Sequence, residues 1–122
     1  MIVQKDPNKP NNVIKVNPEK ASELNVENFQ CGGLNVTGKT LDLTQFQGGP
    51  FRLYVDKDGS LSTELYKDHF WLIAEAFLPE KQYDNIQTGR FDENGQPISE
   101  MVERPLNLDE VDIVVFPLPE VV

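Results

Sequence analysis

The sequence predicts a mainly β fold, an antiparallel β-sandwich or small barrel with at most one short helix. Short segments of alternating apolar and polar residues are separated by turn residues along most of the chain. Two of these turns share one pattern, from Asp56 to Gly59 and from Asp92 to Gly95, and each lies between two strand-like segments. A glycine that ends such a turn adopts the positive φ that closes a β-hairpin. Six to eight short strands spaced by turns are typical of sandwiches and barrels.

Residues 69–78 are the most apolar run and contain the only Trp and the only His. One interpretation is a helix that begins near Ser62, with Leu65 and His69 on its apolar face, and ends before Pro79. The other is a strand whose two faces are both mostly apolar, preceded by a turn at residues 66–68. We favour the strand because the flanking segments lack helical periodicity. A strand with two apolar faces predicts a central position, covered on both sides.

The rest of the chain divides into two parts. Residues 1–12 are polar and contain two prolines, which predicts a flexible N-terminal arm. Residues 13–122 form a single β-rich domain, with one possible short helix in residues 17–29, where Asn17 can cap it and Pro18 can take the first position. The six to eight strands are expected among residues 13–16, 34–37, 40–44, 51–55, 60–66, 69–78, 86–91, 97–102 and 112–116.

Length, cysteine content and hydropathy limit the class of protein. A chain of 122 residues can bury enough surface to fold as one domain. Cys31 is the only cysteine, which excludes an intramolecular disulfide and a zinc site built on several thiolates. The first residues lack a leader-like apolar core, and no apolar run approaches the ~20 residues of a membrane helix. We therefore expect a cytoplasmic or virion protein with no membrane partner.

The negative charge is concentrated in the second half of the chain. Residues 1–61 are electrically balanced, whereas residues 62–122 hold four basic and thirteen acidic residues and carry the whole net charge of −9. Such a surface repels phosphate backbones, so no direct nucleic-acid binding is predicted. A solvated acidic face explains the charge, and so does an acidic surface that imitates nucleic acid and binds a basic partner. The second explanation requires one surface that holds Glu100, Glu103, Asp109, Glu110 and Asp112.

No residue pattern predicts an enzyme, a cofactor, a metal site or a small-molecule substrate. Residues 56–67 resemble a calcium loop, but glycine is fourth instead of sixth and the twelfth residue is Lys67, so a β-turn explains them better. Cys31 and His69 could form a nucleophilic pair only if the fold brought them together, and neither has a local signature. Catalysis is therefore not predicted.

The sequence predicts a non-catalytic structural or protein-interaction module that assembles through β edges. The partner is another copy of the chain or a larger virion, tail or surface assembly; the alternative is the acidic inhibitor of a basic partner. Unpaired strand edges are a common route to such assembly. The predicted contact lies on the last strand and the first hairpin, at Asp112, Ile113, Val114, Val115, Phe116, Phe51, Leu53 and Tyr54.

Overall fold

A computed structural model describes residues 1–64 and 68–119, and its regular structure is almost entirely β. The mainly β prediction is confirmed, while its sandwich or barrel detail stays a prediction. The predicted turn at residues 66–68 and the end of the predicted strand at 60–66 lie largely on residues 65–67, outside the described residues. Two 3₁₀ helices span Thr44–Phe46 and Leu108–Glu110. The strands are β1 (Ile2–Gln4), β2 (Ile14–Val16), β3 (Glu23–Val26), β4 (Phe29–Cys31), β5 (Leu34–Val36), β6 (Lys39–Asp42), β7 (Pro50–Asp56), β8 (Leu61–Ser62), β9 (His69–Phe77), β10 (Tyr83–Phe91), β11 (Pro97–Glu103) and β12 (Ile113–Val115).

The most apolar run is the central strand of a five-stranded sheet, as its pattern predicts. The sheet has the order β1-β12-β9-β7-β8, and β9 pairs antiparallel with both of its neighbours. Its inner face buries Ala74 and Ala76, while a register shift against β7 lets Ile73 be buried as well. The predicted cover on both sides is incorrect for the end of the strand. Phe77 is 75 % exposed there, so the described residues leave most of its outward-facing side chain uncovered.

The predicted short helix in residues 17–29 is absent, and strand β3 takes its place. Asn17 does accept a hydrogen bond from the amide of Glu19 at 3.0 Å, but this bond closes a turn and does not begin a helix. Leu24 and Val26 alternate with polar residues and both are buried, which requires a period of two. Strand β3 pairs with β2 and β6 in a three-stranded sheet, and β4 pairs with β5 in a two-stranded sheet.

Within residues 1–12, strand β1 and Asn11 contact the rest of the chain, whereas residues 7–10 are exposed; the flexible N-terminal arm stays a prediction. Strand β1 runs parallel to β12 at one edge of the five-stranded sheet. Asn11 is buried, and its side-chain amide donates to the carbonyl of Phe116 at 3.0 Å. The Gln4 side chain bonds both backbone groups of Asn11. Polar side chains thus supply hydrogen bonds at Gln4 and Asn11, within a segment whose composition predicts flexibility.

One hydrophobic core joins three of the four sheets. Its buried residues come from the five-stranded sheet, the three-stranded sheet, the β4–β5 pair and the segment around the second 3₁₀ helix. The backbones approach closely where Gly38 lies against β3, since a Cβ on Gly38 would be 2.0 Å from the carbonyl oxygen of Val26. Strands β10 and β11 contribute no residue to this core.

Candidate interaction surface

The structure does not offer the last strand as a free edge. Strand β12 lies between β1 and β9, so both of its backbone edges are already paired. Strand β7 of the first hairpin likewise lies between β8 and β9. The free edges of this sheet belong to β1 and β8, which are only three and two residues long. Strands β12 and β7 therefore have no free backbone edge, because other strands of the same chain occupy both sides; a contact at the predicted residues stays a prediction.

The eight predicted contact residues do not form one surface. Ile113, Val115, Phe51 and Leu53 are core side chains with essentially no exposure. Asp112 is exposed, Val114 and Phe116 are half-buried, and Tyr54 is half-buried under a stacked His69 ring. Alternation along the strands explains the division, since neighbouring residues point to opposite faces. The apolar residues of β7 and β12 therefore indicate strands that contribute to the core rather than a contact surface.

The feature that stands apart from the body is the second predicted hairpin. The structure extends it to residues 83–103. We name these residues the arm, which is distinct from the N-terminal segment of residues 1–12. The arm consists of β10, a turn and β11, which pair antiparallel with each other, and no third strand joins them among the described residues. Its residues are all exposed except Asp84 and Thr88, which are half-buried. Nine residues of β10 span about 30 Å. The arm is thus a ribbon with two open backbone edges and two solvent-facing sides.

Six large apolar side chains of the arm are exposed to solvent. The pairing of Tyr83 with Glu103 and of Ile86 with Glu100 determines which side chains share a face. Tyr83 and Met101 lie on one face, and Ile86 lies on the other with Ile98 and Val102. Met101 is 70 % exposed and Phe91, near the tip, is 67 % exposed. Neither face is wholly polar, so the arm presents apolar surface on both sides.

The tip of the arm is closed by the predicted turn. Asp92 accepts hydrogen bonds from the amides of Asn94 and Gln96, and Gly95 has a φ of 78°. The register shifts between Gln87 and Phe91, where Gly89 also has a φ of 78°. Glycine is the residue that tolerates this conformation without strain. The turn and the bulge are therefore both encoded locally.

Ion pairs fasten the base of the arm. The Arg104 guanidinium bonds both carboxylate oxygens of Asp84, at 2.5 and 3.3 Å, and it also bonds the side chain of Gln82. These bonds lower the pKa of Asp84 below its usual value, because they favour the charged carboxylate. Lys81 lies 3.2 Å from Glu103 beside them. The base is held by polar contacts, whereas the rest of the arm extends from it.

The single histidine has a structural environment. Nδ1 of His69 lies 2.6 Å from the carboxylate of the buried Asp56, and its ring stacks on Tyr54 with a centroid distance of 3.8 Å. Nε2 has no hydrogen-bond partner among the described residues. Cys31 is buried, and burial raises the pKa of its thiol, which disfavours the nucleophilic thiolate. The contacts of His69 with Asp56 and Tyr54 connect strand β9 to strand β7, which is a structural role.

In the loop that resembles a calcium site, the Asp58 carboxylate forms hydrogen bonds within the loop itself. Asp58 accepts hydrogen bonds from the amide and the hydroxyl of Ser60, at 2.9 and 2.6 Å. Gly59 has a φ of 88°, as the turn requires. Within residues 1–64 and 68–119, no group of three or more His, Cys, Asp or Glu side chains is placed to hold a metal ion. Helical structure in these ranges is limited to the two 3₁₀ segments, and none could cross a bilayer.

Comparison with known proteins adds no family to these observations. No protein-family model, no curated protein and no solved structure matches the chain. The arm is therefore interpreted from its own geometry.

Sequence reasoning identified the hairpin of the arm but not its separation from the body. A usable signal was present in the distribution of apolar residues over residues 83–103. Core strands such as β7 place apolar residues at every second position, whereas the arm scatters single apolar residues on both faces. Such a ribbon cannot bury one continuous face against a core. This pattern indicates a projecting element.

Proposed function

We propose that the protein is a non-catalytic structural module that assembles with further copies of itself through the arm. The observation that carries the proposal is a two-stranded ribbon of 21 residues with six exposed large apolar side chains and no residue in the core. An isolated two-stranded hairpin is marginally stable in water. A partner that extends the ribbon or covers it would stabilise the arm.

The energetic argument favours burial of the arm in an assembly. Burying one large apolar side chain contributes about 1.5–3 kcal/mol. Phe91, Met101 and Tyr83 each have more than half of their surface available for such burial. Association itself opposes this gain through the loss of translational and rotational freedom and of side-chain freedom. Several of the six side chains must therefore be buried together for a stable contact.

A further copy of the chain is the partner that fits both faces of the ribbon. A partner that docks on one face leaves the apolar residues of the other face in water. Another strand added at an edge supplies cross-strand neighbours on both faces at once. A second arm brings such a strand with matching length and matching exposed side chains. We therefore assign self-association rather than docking on an unrelated surface.

The setting we propose is a virion, tail or surface assembly, with a cytoplasmic or virion location. Small β modules with projecting elements are suited to repetitive structures, because each copy both offers and receives a contact. This part of the proposal rests on analogy of architecture. It requires no catalytic residue, cofactor, nucleic acid or membrane.

The acidic-inhibitor alternative is weakened by the arrangement of its acids. Glu100 and Glu103 lie on opposite faces of the arm, and cations accompany them, Arg90 at 3.3 Å and Lys81 at 3.2 Å. Asp109 belongs to the second 3₁₀ helix, in a different part of the chain. The alternative needs one acidic surface with few cations between its members. Glu100 and Glu103 instead lie on opposite faces of the arm, and each has a cation beside it.

The solution mass of an arm-shortened variant tests the proposal. Asp84 and Val102 are directly opposite in the register, so Asn-Gly can replace residues 85–101 as a two-residue hairpin loop. We expect the full chain to form an oligomer in light scattering, and the shortened variant to be a monomer with an unchanged thermal midpoint. A monomeric full chain would overturn the proposal, and so would an equally oligomeric shortened variant.

A further inference from the structure

We infer that two arms join by antiparallel pairing of β10 with β10 of a second copy, about a twofold axis at Gln87. This inference rests on the proposed self-association and specifies which edge carries it. The result is one continuous four-stranded sheet with the order β11-β10-β10-β11, shared by two chains. The choice of edge, the register and the charges each support it.

The available backbone groups follow from the hydrogen bonds at the two ends of the arm. The Arg104 amide donates to the carbonyl of Gln82 at 2.7 Å, and the Asp92 amide donates to the carbonyl of Gln96 at 2.9 Å. In an antiparallel pair, residues that bond the partner strand alternate with residues that face away. The outward-facing groups of β10 therefore belong to Tyr83, Asn85, Gln87 and, beyond the bulge, Phe91. Within residues 1–64 and 68–119 no further strand pairs with β10, so those groups form an open edge on both sides of the bulge.

The edge of β11 is poorly suited to pairing with its own copy. A full-length antiparallel pairing of Pro97–Glu103 with itself centres on Glu100. Glu100 would then lie opposite Glu100 of the second copy, and like charges directly opposite are destabilising. Pro97 also has no N–H to donate. Both features protect this edge.

The edge of β10 is complementary to itself. A full-length antiparallel pairing of Tyr83–Phe91 with itself centres on the uncharged Gln87. The register then sets Tyr83 opposite Phe91 of the second copy and Ile86 opposite Thr88. Aromatic pairs and pairs with β-branched residues are favourable cross-strand neighbours. Every position of β10 thus meets a compatible residue.

The charges of β10 agree with the same register. Asp84 lies opposite Arg90 of the second copy, and each copy contributes one such pair. Within one chain Asp84 already contacts Arg104, and Arg90 contacts Glu100 at 3.3 Å. In the paired state the charged side chains form two rows of alternating sign. Each row runs from Arg104 and Asp84 of one copy to Arg90 and Glu100 of the other. Opposite charges across strands stabilise a pairing and fix its register.

The bulge at Gly89 is compatible with a neighbouring strand. Asn85 of the second copy lies opposite Gly89 in this register. A Cβ built on Gly89 meets no atom within 4 Å, so open space lies beside the glycine. Glycine within a strand is found where another backbone approaches closely. The bulge therefore leaves room for the Asn85 side chain of the second copy.

Single-cysteine cross-linking of the full chain tests the inference. Residues paired across the axis have Cα atoms about 5.5 Å apart, which is within the range of a disulfide. We expect Gln87→Cys to give a covalent dimer under mild oxidation. Ser99→Cys, on the opposite edge of the same arm, is the matched control and should stay monomeric on a non-reducing gel. Cys31 is buried and contributes no background.

The register is tested by mixing two further variants. Tyr83→Cys and Phe91→Cys should cross-link when mixed and give little covalent dimer separately. If light scattering shows an oligomer but Ser99→Cys cross-links as well as Gln87→Cys, or neither does, the β10 edge is incorrect while self-association stands. If the mixture is oligomeric in light scattering but does not cross-link, the register is incorrect. A wild-type chain that is monomeric at all concentrations instead overturns the proposed function.

Discussion

The guanidinium of Arg104 holds the carboxylate of Asp84 through two hydrogen bonds, and this pair closes the base of the arm. Asp84 is the first charged residue of β10, and Arg104 immediately follows β11. The pair therefore joins the two strands where they leave the body. This ion pair thus lies at the base of the arm, the element that we propose for assembly.

Removal of Arg104 should raise the pKa of Asp84. The hydrogen bonds hold that pKa low, so the stabilisation they give is present at neutral pH and is lost as the pH falls through the folded-state pKa. In Arg104→Gln the carboxyl should titrate at higher pH, nearer its usual value of about 3.9. NMR titration of the Asp84 carboxyl carbon measures the change. Arg52→Gln, which removes a contact to Glu75 on the five-stranded sheet instead, should leave Asp84 unaltered; an equal change in both variants would contradict the assignment.

Ile113 should contribute to folding rather than to contact with a partner. Its side chain is fully buried, so Ile113→Ala should lower the free energy of unfolding by about 2–5 kcal/mol. Asp112→Ala, on the exposed neighbouring residue, should change it by less than about 0.5 kcal/mol. Urea unfolding followed by Trp71 fluorescence provides both values at one protein concentration. If Ile113→Ala altered the oligomeric mass and left stability intact, β12 would be a contact surface after all.

Gly38 should be intolerant of any side chain. A Cβ there would overlap the Val26 carbonyl oxygen at 2.0 Å, and backbone displacement of this kind costs about 1–3 kcal/mol or more. Gly49→Ala is the matched control, since open space surrounds that position and its φ is not in the left-handed region. Thermal unfolding should show a clear loss for Gly38→Ala and none for Gly49→Ala. Equal midpoints would show that β3 and the turn before β6 are less close than described.

His69 should stabilise the fold through the buried Asp56. His69→Ala leaves that carboxylate without its partner, which costs about 1–3 kcal/mol, and removes the stacked ring from Tyr54. Lys57→Ala disrupts a solvent-exposed ion pair with Asp68 and should cost at most about 1 kcal/mol. Denaturant unfolding at pH 7 compares the two variants. A smaller loss for His69→Ala than for Lys57→Ala would contradict a structural role.

Local patterns predict most of the strands but not β1, β3 and β4, because alternation and turn residues act over only a few positions. The hairpin turns at Gly59 and Gly95 and the strand at residues 69–78 follow from such signals. The pairing of β1 with β12 joins residues 2–4 to residues 113–115, and no local pattern encodes a contact over that separation. For the same reason the sequence does not predict that β12, near the end of the chain, lies between two other strands.

The sequence predicts that residues of the arm form a hairpin. It does not predict that this hairpin projects from the body. Whether a hairpin lies on a core depends on which faces the other sheets leave open, and that is decided by the whole fold. The predicted contact lies on the last strand and the first hairpin, and several of its apolar residues belong to the core. Ile86 and Met101 attract less notice in the sequence, yet they are exposed.

The most direct test of the account is the solution mass of wild-type protein, Phe91→Ser and Phe77→Ser, at low and high salt. Both phenylalanines are highly exposed, at 67 % on the arm and 75 % on the body, so the two variants remove similar apolar surface. The account predicts a salt-resistant oligomer for wild type and Phe77→Ser, and a shift toward monomer for Phe91→Ser. An oligomer lost in Phe77→Ser and retained in Phe91→Ser would contradict it and assign assembly to the outer face of the five-stranded sheet.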